Sequence, residues 1–156
     1  MEIVPASPAH ISELALLFDA YRMFYRMPSD IPTAEKFLQE RIEKSESVVY
    51  VALDDQEKVV GFAQLYPLFS STRMRRLWLL NDLFVIPNQR SKGIGKRLIE
   101  KCKQLAKSTD AAGVFLETEK SNDIGNHLYP LTGFEEDIQH NYYFWVNPSP
   151  PAHAPL

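Results

Sequence analysis

The stretch from Leu77 to Ala106 constrains this chain more than any other. Between Leu77 and Ile86 every residue is apolar except Asn81 and Asp82. That run is too short to cross a bilayer and suits a strand buried on both faces, ended by Pro87. From Ile94 onward the apolar residues Ile94, Leu98, Ile99, Cys102, Leu105 and Ala106 recur at helical spacing, with Lys96, Arg97, Lys101, Lys103 and Lys107 between them. A buried strand therefore feeds an amphipathic helix. The joining turn, Arg90-Ser91-Lys92-Gly93-Ile94-Gly95, sets two glycines where the first-turn N–H groups lie unpaired at the positive end of the helix dipole. Such a turn suits phosphate, and Lys92, Lys96 and Arg97 add charge for a ligand carrying more than one. Leu98 stands where a third glycine would complete a dinucleotide fingerprint, and no P-loop is present.

The segment Asp82 to Ile99 resembles the acetyl-CoA signature of the GNAT superfamily of N-acetyltransferases, Q/R-x-x-G-x-G/A, met here as Arg90-Ser-Lys-Gly93-Ile-Gly95. The resemblance implies an α+β fold: a central mixed, mostly antiparallel β-sheet with splayed parallel strands, flanked by helices. It implies that the backbone of Leu83, Phe84 and Val85 meets pantetheine. Arg90, Ser91, Lys92, Gly93, Ile94, Gly95 and Lys96 would meet the phosphates of acetyl-CoA. A second segment, Asn122 to Phe134, resembles the family pattern N-x-x-A-x-x-L/F-Y-x-x-x-G-F. By that resemblance Asn122 hydrogen-bonds the cofactor, and Tyr129 contacts it and serves as the general acid. Gly125 replaces the usual alanine at about 1 kcal/mol of helix propensity, and Pro130 costs about 3 kcal/mol within a helix, so the helix is expected to end or kink near Tyr129.

The rest of the chain reads as support. At 156 residues, 45% hydrophobic and 24% charged, it has the length and balance of one globular domain. We place that domain at 1–147, followed by a proline-rich tail at 148–156. A short strand over Glu2–Val4 precedes a helix led by Ser7-Pro8, whose face of Ile11, Leu14, Ala15, Phe18, Tyr21, Met23 and Tyr25 runs to about Met27. A second helix begins at Thr33. Val48–Leu53 and Val59–Tyr66 form a hairpin ended by Pro67, and Pro67–Arg76 reads as a loop whose Arg73, Arg75 and Arg76 either face solvent or recognise an anionic part of an acceptor. Gly113–Thr118 reads as a strand parallel to Leu79–Val85 through a right-handed crossover, and Tyr142–Val146 as a final strand that closes the sheet or meets a second subunit. The expected assembly is a homodimer.

Amide formation sets the chemical demand. An amine with a pKa near 10 is mostly ammonium at pH 7, so roughly 4 kcal/mol must be met by desolvation or a base. Asp82 is the one acid inside the apolar run and is the candidate base, with a structural carboxylate at a bulge as the alternative. Glu117 or ordered water are further options. Tyr21, Tyr25, Tyr66, Asn81 and Glu117 are candidate acceptor contacts. The four histidines show no ligand spacing, which argues against a metal site, and Cys102 on the apolar stripe reads as core. A net charge of −3 argues against nucleic acid, and the absence of a signal peptide or long apolar run points to a cytoplasmic protein without a membrane partner. The resulting expectation is acetyl transfer from acetyl-CoA to a small primary amine or amino-acid-like acceptor, by direct attack in a ternary complex. Transfer to a protein lysine or N-terminus, or a non-catalytic acyl-CoA sensor, are the alternatives.

Overall fold

The computed structural model describes residues 1–148. In chain order the elements are β1 (Glu2–Pro5), α1 (Ile11–Phe24), α2 (Ile31–Glu43), β2 (Val48–Leu53), β3 (Val59–Ser70), β4 (Arg75–Val85), α3 (Ile94–Ser108), β5 (Gly113–Phe115) and α4 (Asp123–Leu131). The strands form one sheet in sequential order, antiparallel from β1 to β4 and parallel between β4 and β5. This is the mixed, mostly antiparallel sheet expected.

Each face of the sheet carries its own core, because strand residues alternate between faces. Val49, Val51, Phe62 and Phe84 pack with Leu14, Ala15 and Phe18 of α1 and Ala34 and Leu38 of α2. Tyr50, Ala52, Val60, Trp78 and Leu80 pack with Ile94, Leu98, Ile99, Cys102 and Ala106 of α3. The two helical layers explain why the Leu77–Ile86 run is apolar on both sides.

The alternation breaks once in β4. Asp82 pairs with Gln64 but Leu80 pairs with Leu65, so Asn81 is an extra residue, a β-bulge. Before it the even-numbered Trp78 and Leu80 face α3; after it the odd-numbered Leu83 and Val85 do, and Phe84 turns toward α1. A one-residue insertion has exchanged the faces of the strand.

Several expectations are corrected. Pro67 does not end β3, which continues to Ser70. Pairing to β2 stops at Leu65, so Pro67 sits where β3 has a free side and its missing N–H costs no ladder bond. Pro67–Arg76 is consequently the far end of a β3–β4 hairpin, with a turn at 71–74. Arg75 pairs with Asp110 at 2.6 Å, and the Arg76 guanidinium lies over Phe69 and Trp78, so neither forms an anion site. Helix α2 starts two residues earlier than Thr33 because the Asp30 carboxylate caps Thr33 N, and Pro32 is tolerated in the first turn. Helix α1 stops at Phe24, leaving Met23 exposed.

β5 is shorter than expected and pairs only Gly113, Val114 and Phe115 with Leu77, Trp78 and Leu79. Pro130 does not stop α4, which runs on to Leu131; the final turn is closed by Thr132 N–H donating to the carbonyls of Leu128 and Tyr129. Tyr142–Val146 forms no strand among the described residues and is solvent-exposed. The proline-rich tail lies outside the described residues from 149 on. Among the described residues no helix is long and apolar enough to cross a membrane.

The α3 stripe should dominate stability. Leu98 is fully buried, and Leu98→Ala is expected to cost about 2–5 kcal/mol in urea unfolding, whereas Leu16→Ala, exposed on α1, should cost under about 1 kcal/mol.

Candidate active site

β4 is paired to β3 along its whole length but to β5 only as far as Leu79. From Leu80 to Val85 its other edge is open, and backbone N–H and C=O groups there require partners from elsewhere. Two are supplied by side chains. The Tyr21 hydroxyl donates to the carbonyl of Asn81 at 3.1 Å, and Arg90 Nε donates to the carbonyl of Val85 at 2.9 Å. Between these tied ends the strand borders a cleft of about 570 Å³.

The cleft floor is Leu83, Phe84 and Val85; one wall is the turn Arg90, Ser91, Gly93, Ile94, Gly95 and Lys96. The other wall is α4, with Asn122, Gly125 and Tyr129. Gly93 caps α3 in the left-handed region at φ 78°, and no side chain caps the helix, so its first N–H groups face the cleft without a protein acceptor. Of the predicted phosphate contacts, Lys92 alone is not at the cleft: its ammonium reaches Gln89 at 2.9 Å. Arg97 also points away and donates to the carbonyl of Met1 at 3.1 Å.

Asn122 has a local task as well. Its Oδ1 accepts from Gly125 N at 3.1 Å as the cap of α4, and its Nδ2 donates to Thr118 Oγ1 at 2.9 Å. A Cβ at position 125 would lie 2.6 Å from Asn122 Nδ2 and 3.1 Å from the Tyr129 ring. Gly125 therefore lets cap and phenol approach closely.

A second hollow of about 440 Å³ continues from the cleft through the gap between β4 and β5. Tyr21, Tyr25, Asn81, Glu117, Thr118 and Glu119 line it together with Leu79 and Leu80. Glu119 is paired with Arg26 at 2.7 Å. Tyr21, Tyr25, Asn81 and Glu117 thus converge as expected. Tyr66 does not: it lines neither hollow, and burial pushes its phenol up to about 12.

Asp82 is buried at 3% exposure behind the bulge. Its Oδ2 accepts from Gln64 Nε2 at 2.7 Å and its Oδ1 from Asn81 Nδ2 at 3.1 Å. Burial drives its pKa upward, while these amides and the nearby Tyr21 hydroxyl oppose the shift. The Gln64 amide, itself fully buried, holds the carboxylate in place. Tyr129 is half-buried against Phe134, and burial pushes its phenol up to about 12. Tyr21 is pushed well above the ordinary phenol value, first by burial and then by Asp82.

Residues that sequence reasoning missed are Phe24, Gln89, Ile124, His127, Leu128 and Leu131 at the cleft, Glu119 at the second hollow, and Gln64 behind Asp82. The helical spacing of Ile124 and Leu128 could have found that wall; nothing local marked Gln64, whose pairing is across the sheet.

A cleft with this strand, turn and helix matches a known group of enzymes. The acetyltransferase (GNAT) family profile matches residues 14–134, and the chain belongs to that family. It is an acetyltransferase, of a family whose acyl donor is acetyl-CoA. It is 43% identical over 143 residues to the uncharacterised N-acetyltransferase YhfO of Bacillus subtilis (strain 168), covering 92% of this chain and 95% of that one. A probable acetyltransferase of Haemophilus influenzae is 33% identical over 71% of this chain and 76% of its own. Among solved structures, that of a probable acetyltransferase superimposes with a TM-score of 0.90 at 37% identity, covering 96% of this chain and all of the other. An aminoglycoside acetyltransferase from an uncultured soil metagenomic sample, in complex with sisomicin, superimposes at 0.74 with 26% identity, covering 93% and 96%.

The raised Asp82 pKa has a sign for stability. A carboxyl whose folded pKa exceeds its unfolded value stabilises below the unfolded pKa and loses that contribution as pH rises through the folded one, so ionised Asp82 is a burden at neutral pH. Asp82→Asn is expected to keep or raise Tm at pH 7.5 in thermal melts, with the advantage over the parent shrinking toward pH 4. A Tm drop of several degrees at pH 7.5 would show that the carboxylate is needed for folding.

Proposed function

We propose that this protein transfers an acetyl group from acetyl-CoA to the primary amine of a small, cationic amine or amino-acid-like acceptor, by direct attack in a ternary complex in the cytoplasm. The observation that carries the acceptor class is the second hollow, where Glu117 and Asn81 meet two tyrosines, with the Glu119 carboxylate beside them already paired to Arg26. Such a lining suits an ammonium on an aromatic edge. The sisomicin complex of a structural neighbour, a ligand of amine character, fits the same class.

The donor fits the cleft on the structure's own terms. The uncapped α3 N-terminus with Arg90 and Lys96 would take the phosphates, and the open edge of β4 from Leu83 to Val85 would take an extended amide-bearing arm. Bound there, acetyl-CoA supplies an activated thioester. The protein's task is to deprotonate the amine and stabilise the charges that develop. Asp82, held by Gln64 and Asn81 and raised in pKa, is the proton acceptor, either directly or through a water in the Asn81–Glu117 gap. The acceptor would attack as the free amine, having lost its ammonium proton to solvent; as the C–N bond formed and the C–S bond broke, the proton then in excess on nitrogen would pass to Asp82 and the sulfur would leave as thiolate.

Tyr129, on the cleft wall, would serve that sulfur as a hydrogen-bond donor. With its phenol near 12 against about 8.5 for an ordinary thiol, complete proton transfer to the thiolate would be uphill by about 5 kcal/mol. Donation without transfer is the role its pKa supports. Cys102 is fully buried and its thiol is raised to about 12, which disfavours an acyl-cysteine route.

The deciding experiment is thiol release measured across a panel of diamines, amino acids, aminoglycosides and peptide amines. Turnover is expected with compact cationic amines, and turnover confined to peptide substrates would overturn the acceptor assignment. Tyr129→Phe should lower kcat by about 10²-fold with unchanged acetyl-CoA affinity. In the parent, kcat/KM should rise from pH 6 to 9 as the amine deprotonates, with no basic decline below about pH 11, because Tyr129 stays protonated throughout.

A further inference from the structure

We propose that the Tyr21 hydroxyl is the proton carrier between the acceptor hollow and Asp82, taking the proton that the acetylated nitrogen sheds and passing its own to the carboxylate. The role rests on Asp82 being the proton acceptor of the proposed mechanism and gives that carboxylate a route to the nitrogen. Asp82 lines neither hollow and is 3% exposed, so a nitrogen held in the acceptor hollow has no open path to it. Tyr21 lines both hollows, and its hydroxyl lies beside the Asp82 carboxylate.

The register of the sheet puts the hydroxyl there. Phe62 pairs with Phe84 and Gln64 with Asp82, so these four side chains form two adjacent rows on the face of β3 and β4 that meets α1. The Tyr21 ring stands edge-on to both phenylalanines, its centroid 6.0 Å from Phe62 and 6.3 Å from Phe84. Phe18, one turn earlier on α1, adds a stacked contact at 6.3 Å. A ring held on the phenylalanine row carries its oxygen to the next row, where the hydroxyl donates to the Asn81 carbonyl at 3.1 Å.

Of the groups that bond the carboxylate, the hydroxyl alone can carry a proton. Gln64 Nε2 and Asn81 Nδ2 anchor one oxygen each, at 2.7 Å and 3.1 Å, but carboxamides hydrogen-bond without titrating. A phenol has both a donor hydrogen and acceptor lone pairs, and that hydrogen rotates to suit its surroundings. It points to the Asn81 carbonyl at rest, and turned about the C–O bond it points to Asp82. Once the C–N bond has formed, the nitrogen holds one proton too many. That proton moves to a lone pair of the Tyr21 oxygen as the Tyr21 proton moves to Asp82: nitrogen loses one proton, Asp82 gains one and the phenol ends neutral. Burial first, and then Asp82, hold Tyr21 well above the ordinary phenol value, so it hands the proton on and does not become a phenolate. Tyr25, whose ring centroid is 5.1 Å away, is engaged by Thr118 and Asn122 instead.

Single-turnover acetyl transfer, with acetyl-CoA and the amine of the panel that releases thiol fastest, isolates this step from product release. Tyr21→Phe keeps the ring and its packing. It should remain folded by circular dichroism, bind CoA as the parent does in calorimetry, and transfer about 10²-fold more slowly. Asp82→Asn should be similarly slow, and Tyr21→Phe/Asp82→Asn no slower than the slower single variant, as groups of one relay behave. Losing the tie to the Asn81 carbonyl would slow transfer as well, so the isotope response decides between the two roles. In mixtures of H2O and D2O the parent rate should fall along a bowed curve, because two protons move together, and Tyr21→Phe should lose that curvature. The parent's curve needs no variant to fold. A Tyr21→Phe enzyme as fast as the parent, additive losses in the double variant, or a straight line for the parent would each overturn the relay and leave Asp82 as the acceptor. An Asp82→Asn enzyme as fast as the parent would overturn the reading of Asp82 itself, and no transfer to any amine would overturn the reaction that the relay serves.

Discussion

The structure turns on an interrupted ladder. β4 keeps its antiparallel partner to Val85 but loses its parallel one after Leu79, and the groups left open along that edge must find partners in a ligand or in side chains. Tyr21 and Arg90 meet two of the carbonyls, one at each end of the opening. The α3 N-terminus, placed by the turn after Pro87, faces the same space. In the proposed reading a donor arm and its phosphates would be addressed by backbone that the fold leaves unpaired, and only secondarily by side chains.

The bulge at Asn81 couples this opening to the chemistry. By exchanging the faces of β4 it carries Asp82 away from the α3 core and toward Tyr21, where Gln64 can reach it across the sheet. Without the extra residue the carboxylate would lie on the α3 side among Leu80, Leu98 and Ile99, with no such partner. The extra residue costs one ladder position and leaves Asn81 facing both hollows. Asp82 is then a buried carboxyl whose ionised form weakens the fold and, in the proposed mechanism, the group that would take a proton, a combination common where stability is given up for reactivity.

Much of this was legible in the sequence, for reasons that are local. The apolar run ending at Pro87, the stripe from Ile94 to Ala106 and the glycine turn are written in consecutive residues, and each is found as read. The pattern around Asn122 and Tyr129 is equally local. What misled was a rule applied without its context: Pro67 breaks a central strand but not one that has already lost its neighbour, and Pro130 ends a helix unless the last turn is closed by other carbonyl acceptors. What was invisible was non-local. Gln64 and Asp82 are far apart in the chain, the role of Glu119 depends on where β5 stops, and Arg75 and Arg76 of the β3–β4 hairpin are engaged by Asp110 and by aromatic rings that no spacing rule connects to them. The residue types of Tyr142–Val146 favour a strand, but a strand also needs a neighbour, and among the described residues none pairs with it.

The central claim is that the open edge of β4 and the α3 N-terminus together form an acyl-CoA site. Calorimetric titration of the folded protein with CoA, in parallel with Gly93→Ala, tests it most directly. The left-handed φ at Gly93 penalises any side chain by about 1 kcal/mol or more and disturbs the first turn of α3 where the phosphates would lie. The account predicts one site per chain, affinity that falls with added salt, and at least tenfold weaker binding by the variant. No binding of CoA by the folded parent, or equal affinity in Gly93→Ala, would contradict it.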